Sequence, residues 1–324
     1  MNSFTLVRPK TIEEAAREAA KPDAELKAGG VDVIDRMKEG LDKPATLVSL
    51  TDIPGRDGIA VGPPARIGSM ATLARLAADA GLRAQYPALS EAAAGAATPQ
   101  IRHMATLGGN LAQRPRCWYY RSADFDCRKK GGSECYALHG ENRFHAIFDT
   151  DILCCCVHPS ATGTALLAYG ATLETISTAK GKRKLSMEDF FHNPTEDATR
   201  ENNLAPGEII ETIEIPAPAE GTRAVYRKLK EKESFDWPIV ETCVLLTMSG
   251  GSVRDARVVF GSVAPTPRRS PQAEALLKGA RPSDDIARRA AEAAVAGAKP
   301  LEHNGYKVRL ARVELERAIK QAWA

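Results

Sequence analysis

Six of the seven cysteines in this 324-residue chain fall within 40 positions, at Cys117, Cys127, Cys135, Cys154, Cys155 and Cys156; the seventh is Cys243. Thiolates are metal ligands, and clustered cysteines in a long chain with no secretion signal read as a metal or cluster site before a disulfide framework. The first three lie in a polar stretch rich in Arg and Lys, which an apolar core would not absorb. Zinc competes with iron on ligand count, and buried thiols acting as small apolar side chains are the third reading. Cys154 to Cys156 sit in an apolar run from Ile152 to Val157. Strand-like alternation would turn Cys154 and Cys156 to one face and Cys155 to the other, so Cys155, like Cys243, is expected in the core.

Two glycine pairs offer a different chemistry. In Ala28-Gly29-Gly30-Val31-Asp32 a strand end meets a helix start, placing bare backbone N–H groups at a positive helix end that suits a pyrophosphate. Ile101-Arg102-His103-Met104-Ala105-Thr106-Leu107-Gly108-Gly109-Asn110-Leu111 repeats the glycine pair beside hydroxyl and amide side chains. Neither has the GxGxxG spacing of a Rossmann fingerprint, and each alone is readable as a tight turn. Together they could grip one long diphosphate cofactor.

Other chemistry-bearing residues are less informative. His103, His139, His145 and His192 have no nucleophile or acid partner at a motif spacing, and His158 stands out only by its place beside the cysteines; all five are expected to be structural. Trp118-Tyr119-Tyr120 is read as loop packing near the cysteines. The basic run Arg223 to Lys232 is by default solvated charge.

The elements that must hold these residues follow from capping and periodicity. Thr11 and Glu14 form a capping box ahead of a helix through Ala20, and Glu25 to Ala28 reads as a strand stopped by the first glycine pair. A helix over Val31 to Lys38 and a strand over Thr46 to Leu50 follow; Gly55 to Gly62 with Pro63-Pro64 marks a seam. Beyond it the pattern predicts a strand near Ile67 and helices over Thr72–Ala80, Ala88–Ala97 and about 160–169. Strands are predicted over about 172–177 and Glu208–Ile215. After Pro216-Ala217-Pro218 come three strands, about 224–230, 239–248 and 253–263. Helices follow, with Ser283 capping Asp284–Ala298 and a last one over Lys307–Ala322. The domains are therefore expected at 1–62, 63–217 and 218–324, in an α+β class.

Composition excludes several classes. A net charge of +3 with no basic block argues against nucleic acid, and 44% hydrophobic with 26% charged residues is globular. No apolar run is long enough for a signal core or a membrane span. The expected location is cytoplasmic, or periplasmic when co-exported with a signal-bearing partner.

The pair AGGVDVID (Ala28 to Asp35) and ATLGGNL (Ala105 to Leu111) resembles the two FAD-gripping loops of the flavin subunit in the xanthine dehydrogenase family of molybdenum hydroxylases. The resemblance extends over the chain through Phe4-Thr5-Leu6-Val7-Arg8-Pro9, Pro206-Gly207-Glu208-Ile209-Ile210, Tyr226-Arg227-Lys228-Leu229 and Gly305-Tyr306-Lys307. It implies a two-part FAD-binding domain of the vanillyl-alcohol-oxidase type followed by a C-terminal α+β domain of three strands and helices. The implied FAD contacts are Lys27, Ala28, Gly29, Gly30, Val31, Asp32 and Val33, then Thr106, Gly108, Gly109, Asn110 and Leu111, with Lys228 near the flavin ring edge.

An insert at about 112–153 departs from most of the family. It looks like that of the members carrying an extra 4Fe-4S cluster, notably bacterial aromatic aldehyde oxidoreductases and, more distantly, 4-hydroxybenzoyl-CoA reductase. The implied ligands are Cys117, Cys127, Cys135 and Cys154, with Cys156 in reserve; the spacings of 10, 8 and 19 suit an irregular loop around a cubane. The implied function is electron transfer, with no catalytic residue in this chain. Electrons would come from a large molybdenum-cofactor subunit through a small 2Fe-2S subunit and leave to an external acceptor. The alternatives are a hydroxybenzoyl-CoA reductase-like or heterocycle hydroxylase complex, a standalone FAD oxidase, and a non-enzymatic zinc-binding scaffold.

Overall fold

The computed structural model describes residues 1–324 and contains three sheets. The first is parallel, with β1 (Thr5–Val7), β2 (Ala24–Lys27) and β3 (Thr46–Ser49) in the order β1-β3-β2. The crossover helix Ile12–Ala19 buries Ile12, Ala15, Ala16 and Ala19. Thr11 caps it, its Oγ1 accepting from the Glu14 N–H at 3.1 Å, while the Glu14 carboxylate accepts from the N–H of Lys10 at 2.9 Å. The box is thus shifted one residue outward from its expected reciprocal form. β1 was not apparent from periodicity, being three residues long with two of them exposed.

The second sheet is antiparallel. It comprises β4 (Ile59–Ala60), β5 (Ala65–Gly68), β6 (Thr172–Ser177), β7 (Gly181–Ser186) and β8 (Ile209–Ile215), ordered β4-β5-β8-β6-β7. Its core includes the Ala-rich helix Pro87–Ala94 and the helix Ala161–Tyr169, which is buried on every side. A helix so enclosed must be apolar all round, and its only polar side chains are short hydroxyls and a tyrosine.

The third sheet orders β9 (Thr222–Leu229), β10 (Val240–Ser249), β11 (Ser252–Gly261) and β12 (Arg268–Arg269) as β12-β11-β10-β9. The two-residue β12 makes four strands where three were expected; it pairs only at Val259 and Phe260, too briefly to leave a sequence pattern. Val240 to Thr247 are all buried because β10 is covered on both faces. One face carries Cys243 and Leu245 into the core around Ala161–Tyr169, and the other packs against Pro271–Leu277, Asp284–Val295 and Tyr306–Trp323. Ser283 caps the second of these, accepting from Ile286. No helix is long and apolar enough to cross a membrane.

Candidate functional site

The two glycine corners meet. A Cβ at Gly29 would fall on the carbonyl oxygen of Met104, so only glycine lets β2 and the second loop approach this closely. Gly30 adopts a left-handed φ of 81° and starts the helix Val31–Lys38. Across the contact Thr106 caps the short helix Leu107–Leu111, accepting from the Gly109 N–H at 3.2 Å, while Gly109 faces Ala28.

Both corners open onto one cleft of about 1290 Å³, lined by Ala28 to Val33, Thr106, Gly108, Gly109 and Asn110, and also by Lys228, Trp237 and Glu241. Two of the expected contacts stand apart from this lining. Leu111 is a fully buried core residue, and the Lys27 ammonium turns back to the Ala28 carbonyl at 3.3 Å.

The Asn110 side chain is already committed. Its Oδ1 accepts from Ser160 Oγ at 2.7 Å and Thr162 Oγ1 at 2.6 Å, so the hydroxyls that begin the helix Ala161–Tyr169 fix the second corner. Ser160 also caps that helix through the Gly163 N–H. Sequence reasoning missed this pair; a Ser-x-Thr at a helix start signals a cap but not a partner 50 residues away.

Asp32 is likewise occupied. It accepts from Arg121 at 2.7 Å and from the Arg114 N–H at 3.0 Å, and it forms ion pairs with Arg116 at 2.8 Å and Arg36 at 3.2 Å. Burial would raise its carboxyl pKa, but Arg116, the Arg114 N–H and Arg121 outweigh burial and hold it below the usual carboxylate range. An acidic side chain in the first helical turn would repel a phosphate; these cations neutralise it. The same contacts fasten the start of the cysteine insert to the first glycine corner.

The insert has its own aromatic frame. Tyr119 stacks on Tyr136 and meets Phe125 edge-on, its hydroxyl accepting from the Glu141 N–H at 2.7 Å, while Trp118 packs against Phe144 and His145. Within this frame Cys135 Sγ lies 3.8 Å from Cys155 Sγ, and Cys154 packs with Cys156 beside Cys117. His145 Nε2 stands 3.2 Å from Cys117 Sγ. Cys127 is buried, and its backbone bridges Glu134.

Leu153 to Pro159 forms no strand, yet Cys154 and Cys156 share one small cluster with Cys117 and Cys155 is fully buried outside it, as expected; the departure is that Cys155 faces Cys135. Cys243 lies on β10 in the core. Hydrogen bonds from Cys154 and Cys155 pull the Cys135 thiol down, and burial lifts Cys117 to about 12. No three His, Cys, Asp or Glu side chains stand in metal-ligating geometry; the Cys135 and Cys155 thiols bond to each other.

Burial also depresses two histidines, His145 to about 4 and His158 to about 3. His192 bridges Asn203 and the Asp197 carbonyl, while His103 and His139 are exposed. Buried Lys129 holds Glu201 at 2.6 Å, and Arg114 holds the other oxygen of that carboxylate at 2.8 Å. At the far side of the insert Lys307, fully buried, donates to the carbonyls of Phe144, His145 and Ser262 at 3.1, 2.9 and 2.8 Å.

Residues 2–218 match the family described as the FAD-binding domain in molybdopterin dehydrogenase, and residues 224–322 match the CO dehydrogenase flavoprotein C-terminal domain. The chain is 33% identical to the aldehyde oxidoreductase FAD-binding subunit PaoB of Escherichia coli K12, covering 100% of this chain and 99% of that one. It is 31% identical to the carbon monoxide dehydrogenase medium chain of Afipia carboxidovorans, covering 99% and 97%. Among solved structures it resembles carbon monoxide dehydrogenase from Hydrogenophaga pseudoflava, with a TM-score of 0.78, 27% identity and coverage of 99% and 98%. A parallel unit with a glycine corner, a second glycine corner locked against it and an antiparallel C-terminal domain thus accompany a full-length sequence match: the chain belongs to the FAD-binding subunits of the xanthine dehydrogenase and CO dehydrogenase family of oxidoreductases.

Proposed function

We propose that this chain is the FAD- and 4Fe-4S-bearing electron-transfer subunit of a molybdenum-dependent aldehyde oxidoreductase. It takes electrons from a large molybdenum-cofactor subunit by way of a small 2Fe-2S subunit and delivers them to an external acceptor. The observation that carries this reading is the contact of Gly29 with the Met104 carbonyl, which merges two glycine corners into the wall of one cleft. Likeness to the PaoB subunit supports the aldehyde assignment, and the "subunit" and "medium chain" descriptions of the relatives support partner chains.

FAD supplies the capacity to accept electrons in pairs and release them singly. The chain's own part is to bind and orient. Backbone N–H groups at the start of Val31–Lys38 would receive the pyrophosphate, those of Gly108 and Gly109 being taken by the Ser69 carbonyl and Thr106 Oγ1; Asn110 is held rigid by Ser160 and Thr162, and Lys228 lines the same cleft. We assign the boundaries 1–62, 63–217 and 218–324 to the two FAD-binding parts and the C-terminal domain.

The thiol chemistry of the insert suits an iron-sulfur cluster: Cys117 packs against Cys154 and Cys156, and Cys135 meets Cys155, while Cys127 is buried without a contact to these thiols. Cys117, Cys127, Cys135 and Cys154 are the assigned ligands, with Cys156 in reserve. The test is a visible spectrum and metal analysis of the purified full-length protein. Flavin bands at about 370 and 450 nm over broad iron-sulfur absorption are expected, with about four Fe per chain. A protein without flavin rejects the reading, and zinc without iron in anaerobic preparations rejects the cluster.

A further inference from the structure

Glu241 occupies a position where a carboxylate is costly. It is 1% exposed, in the buried stretch of β10, directly opposite Lys228 of β9. Both residues line the cleft, as do Trp237 and Pro238. The surroundings are built for an anion. Tyr226 Oη donates to Glu241 Oε1 at 2.5 Å, and Ser262 Oγ donates to Oε2 at 3.2 Å. Gly261 provides the room: a Cβ there would run into Oε2 of Glu241 and into Oγ1 of Thr164. Ionised carboxylates are buried only when hydrogen bonds and a nearby cation offset the desolvation.

Lys228 makes no contact ion pair with this carboxylate. Its ammonium donates instead to the Gly95 carbonyl at 2.9 Å, so the two charges line the cleft without being fused. Burial lowers the Lys228 pKa while Glu241 sustains the ammonium; burial raises that of Glu241 while Tyr226 and Lys228 oppose the rise.

We propose that Glu241 is the fixed counter-charge to Lys228 at the ring end of the cleft and that the pair sets the midpoint potential of the flavin. The inference rests on the assignment of FAD to this cleft. Two electrons and one proton convert oxidised flavin to its anionic reduced form, which Lys228 favours and Glu241 disfavours. Inside a protein such charges act through a lower effective dielectric than water provides. Glu241 is a positioning residue: it offsets the field of the ammonium, which the Gly95 carbonyl holds, without touching the reacting atoms.

The test uses the full-length protein with one FAD per chain and reads the flavin midpoint potential by reductive titration against redox dyes. E241Q, which keeps the shape and removes the charge, shifts the equilibrium about tenfold toward reduced flavin, a rise of about 30 mV for a two-electron couple. K228M shifts it about tenfold the other way, and the double variant returns near the wild-type value, as expected of opposed charges in a double-mutant cycle. Y226F withdraws the closest donor from the carboxylate and moves the potential in the direction of E241Q by a smaller step, which decides the matter should E241Q not fold. Wild-type potentials in both E241Q and Y226F at full flavin occupancy overturn the proposal. Flavin stoichiometry is read on the same samples, so a wrong cofactor assignment appears as an empty wild-type protein, separate from an unmoved potential.

Discussion

Asp32 and Arg121 meet at 2.7 Å although 89 positions separate them, and through that contact the helix beginning at the first glycine corner is joined to the insert carrying the cysteines. With Arg116 and the Arg114 N–H on the same carboxylate, Asp32 becomes the hinge pin between two expected redox sites.

Asp32→Asn therefore weakens both sites at once. Breaking a largely buried ion pair from one side costs about 3 kcal/mol, and the expected outcome is a lower Tm with partial loss of both flavin and iron. A variant losing neither shows that the pin is dispensable. The pH dependence has a definite sign. Because the folded pKa of Asp32 lies below its ordinary 3.8, its stabilisation is fully present above that value. It is lost as pH falls through the depressed folded value. Acid titration of the Asn variant lacks this component.

Gly29→Val should abolish FAD retention, because any Cβ at that position displaces the Met104 carbonyl and parts the two corners. Gly109→Val crowds Thr106 and Ala28 with a similar result. The ratio of absorbance at about 450 nm to that at 280 nm reports flavin content, and unchanged ratios in both variants would reject the two-corner grip.

Serine substitution of Cys117, Cys127 or Cys135 is expected to eliminate iron from the purified protein while leaving flavin bound. The fourth position is resolved by comparing Cys154→Ser with Cys156→Ser. Because Cys155 faces Cys135, Cys155→Ser belongs in the same series. Full iron content in all three loop variants would sink the cluster assignment.

Lys307→Met leaves the carbonyls of Phe144 and Ser262 unpaired in a buried site, while that of His145 keeps its bond from Asn304. Each unsatisfied group costs about 1–3 kcal/mol, so a marked fall in Tm is expected. Limited proteolysis should then cut the insert near residues 143–146 first. Protection of that segment equal to wild type would mean that other contacts suffice to hold it.

Much of the scaffold was legible because it is encoded locally. Thr11, Ser283 and the glycine pairs sit at the chain punctuation they suggest, and the strand at Thr172–Ser177 follows from its own pattern. β7 was not legible: Gly181 to Ser186 is mostly Lys, Arg and Ser on a sheet edge, where no alternation is required. The site was half legible. The glycine corners announce themselves, but the partners of Asp32, Asn110 and Lys307 are long-range polar contacts, and nothing in a run such as Arg114 to Arg121 says which arginine will reach back to residue 32. The contact of Cys155 with Cys135 was hidden for a related reason, since the two thiols are brought together by an irregular loop rather than by a strand.

The bonds from Lys307 to the carbonyls of Phe144 and His145 also impose an order of events during synthesis. Chains fold from the N-terminal end as they emerge. Yet the bonds that hold the cysteine loop at Phe144 and His145 form only after Lys307, 163 and 162 positions further along the chain, has been made. The insert is thus held from both sides only late in synthesis, when the helix Tyr306–Trp323 packs against it.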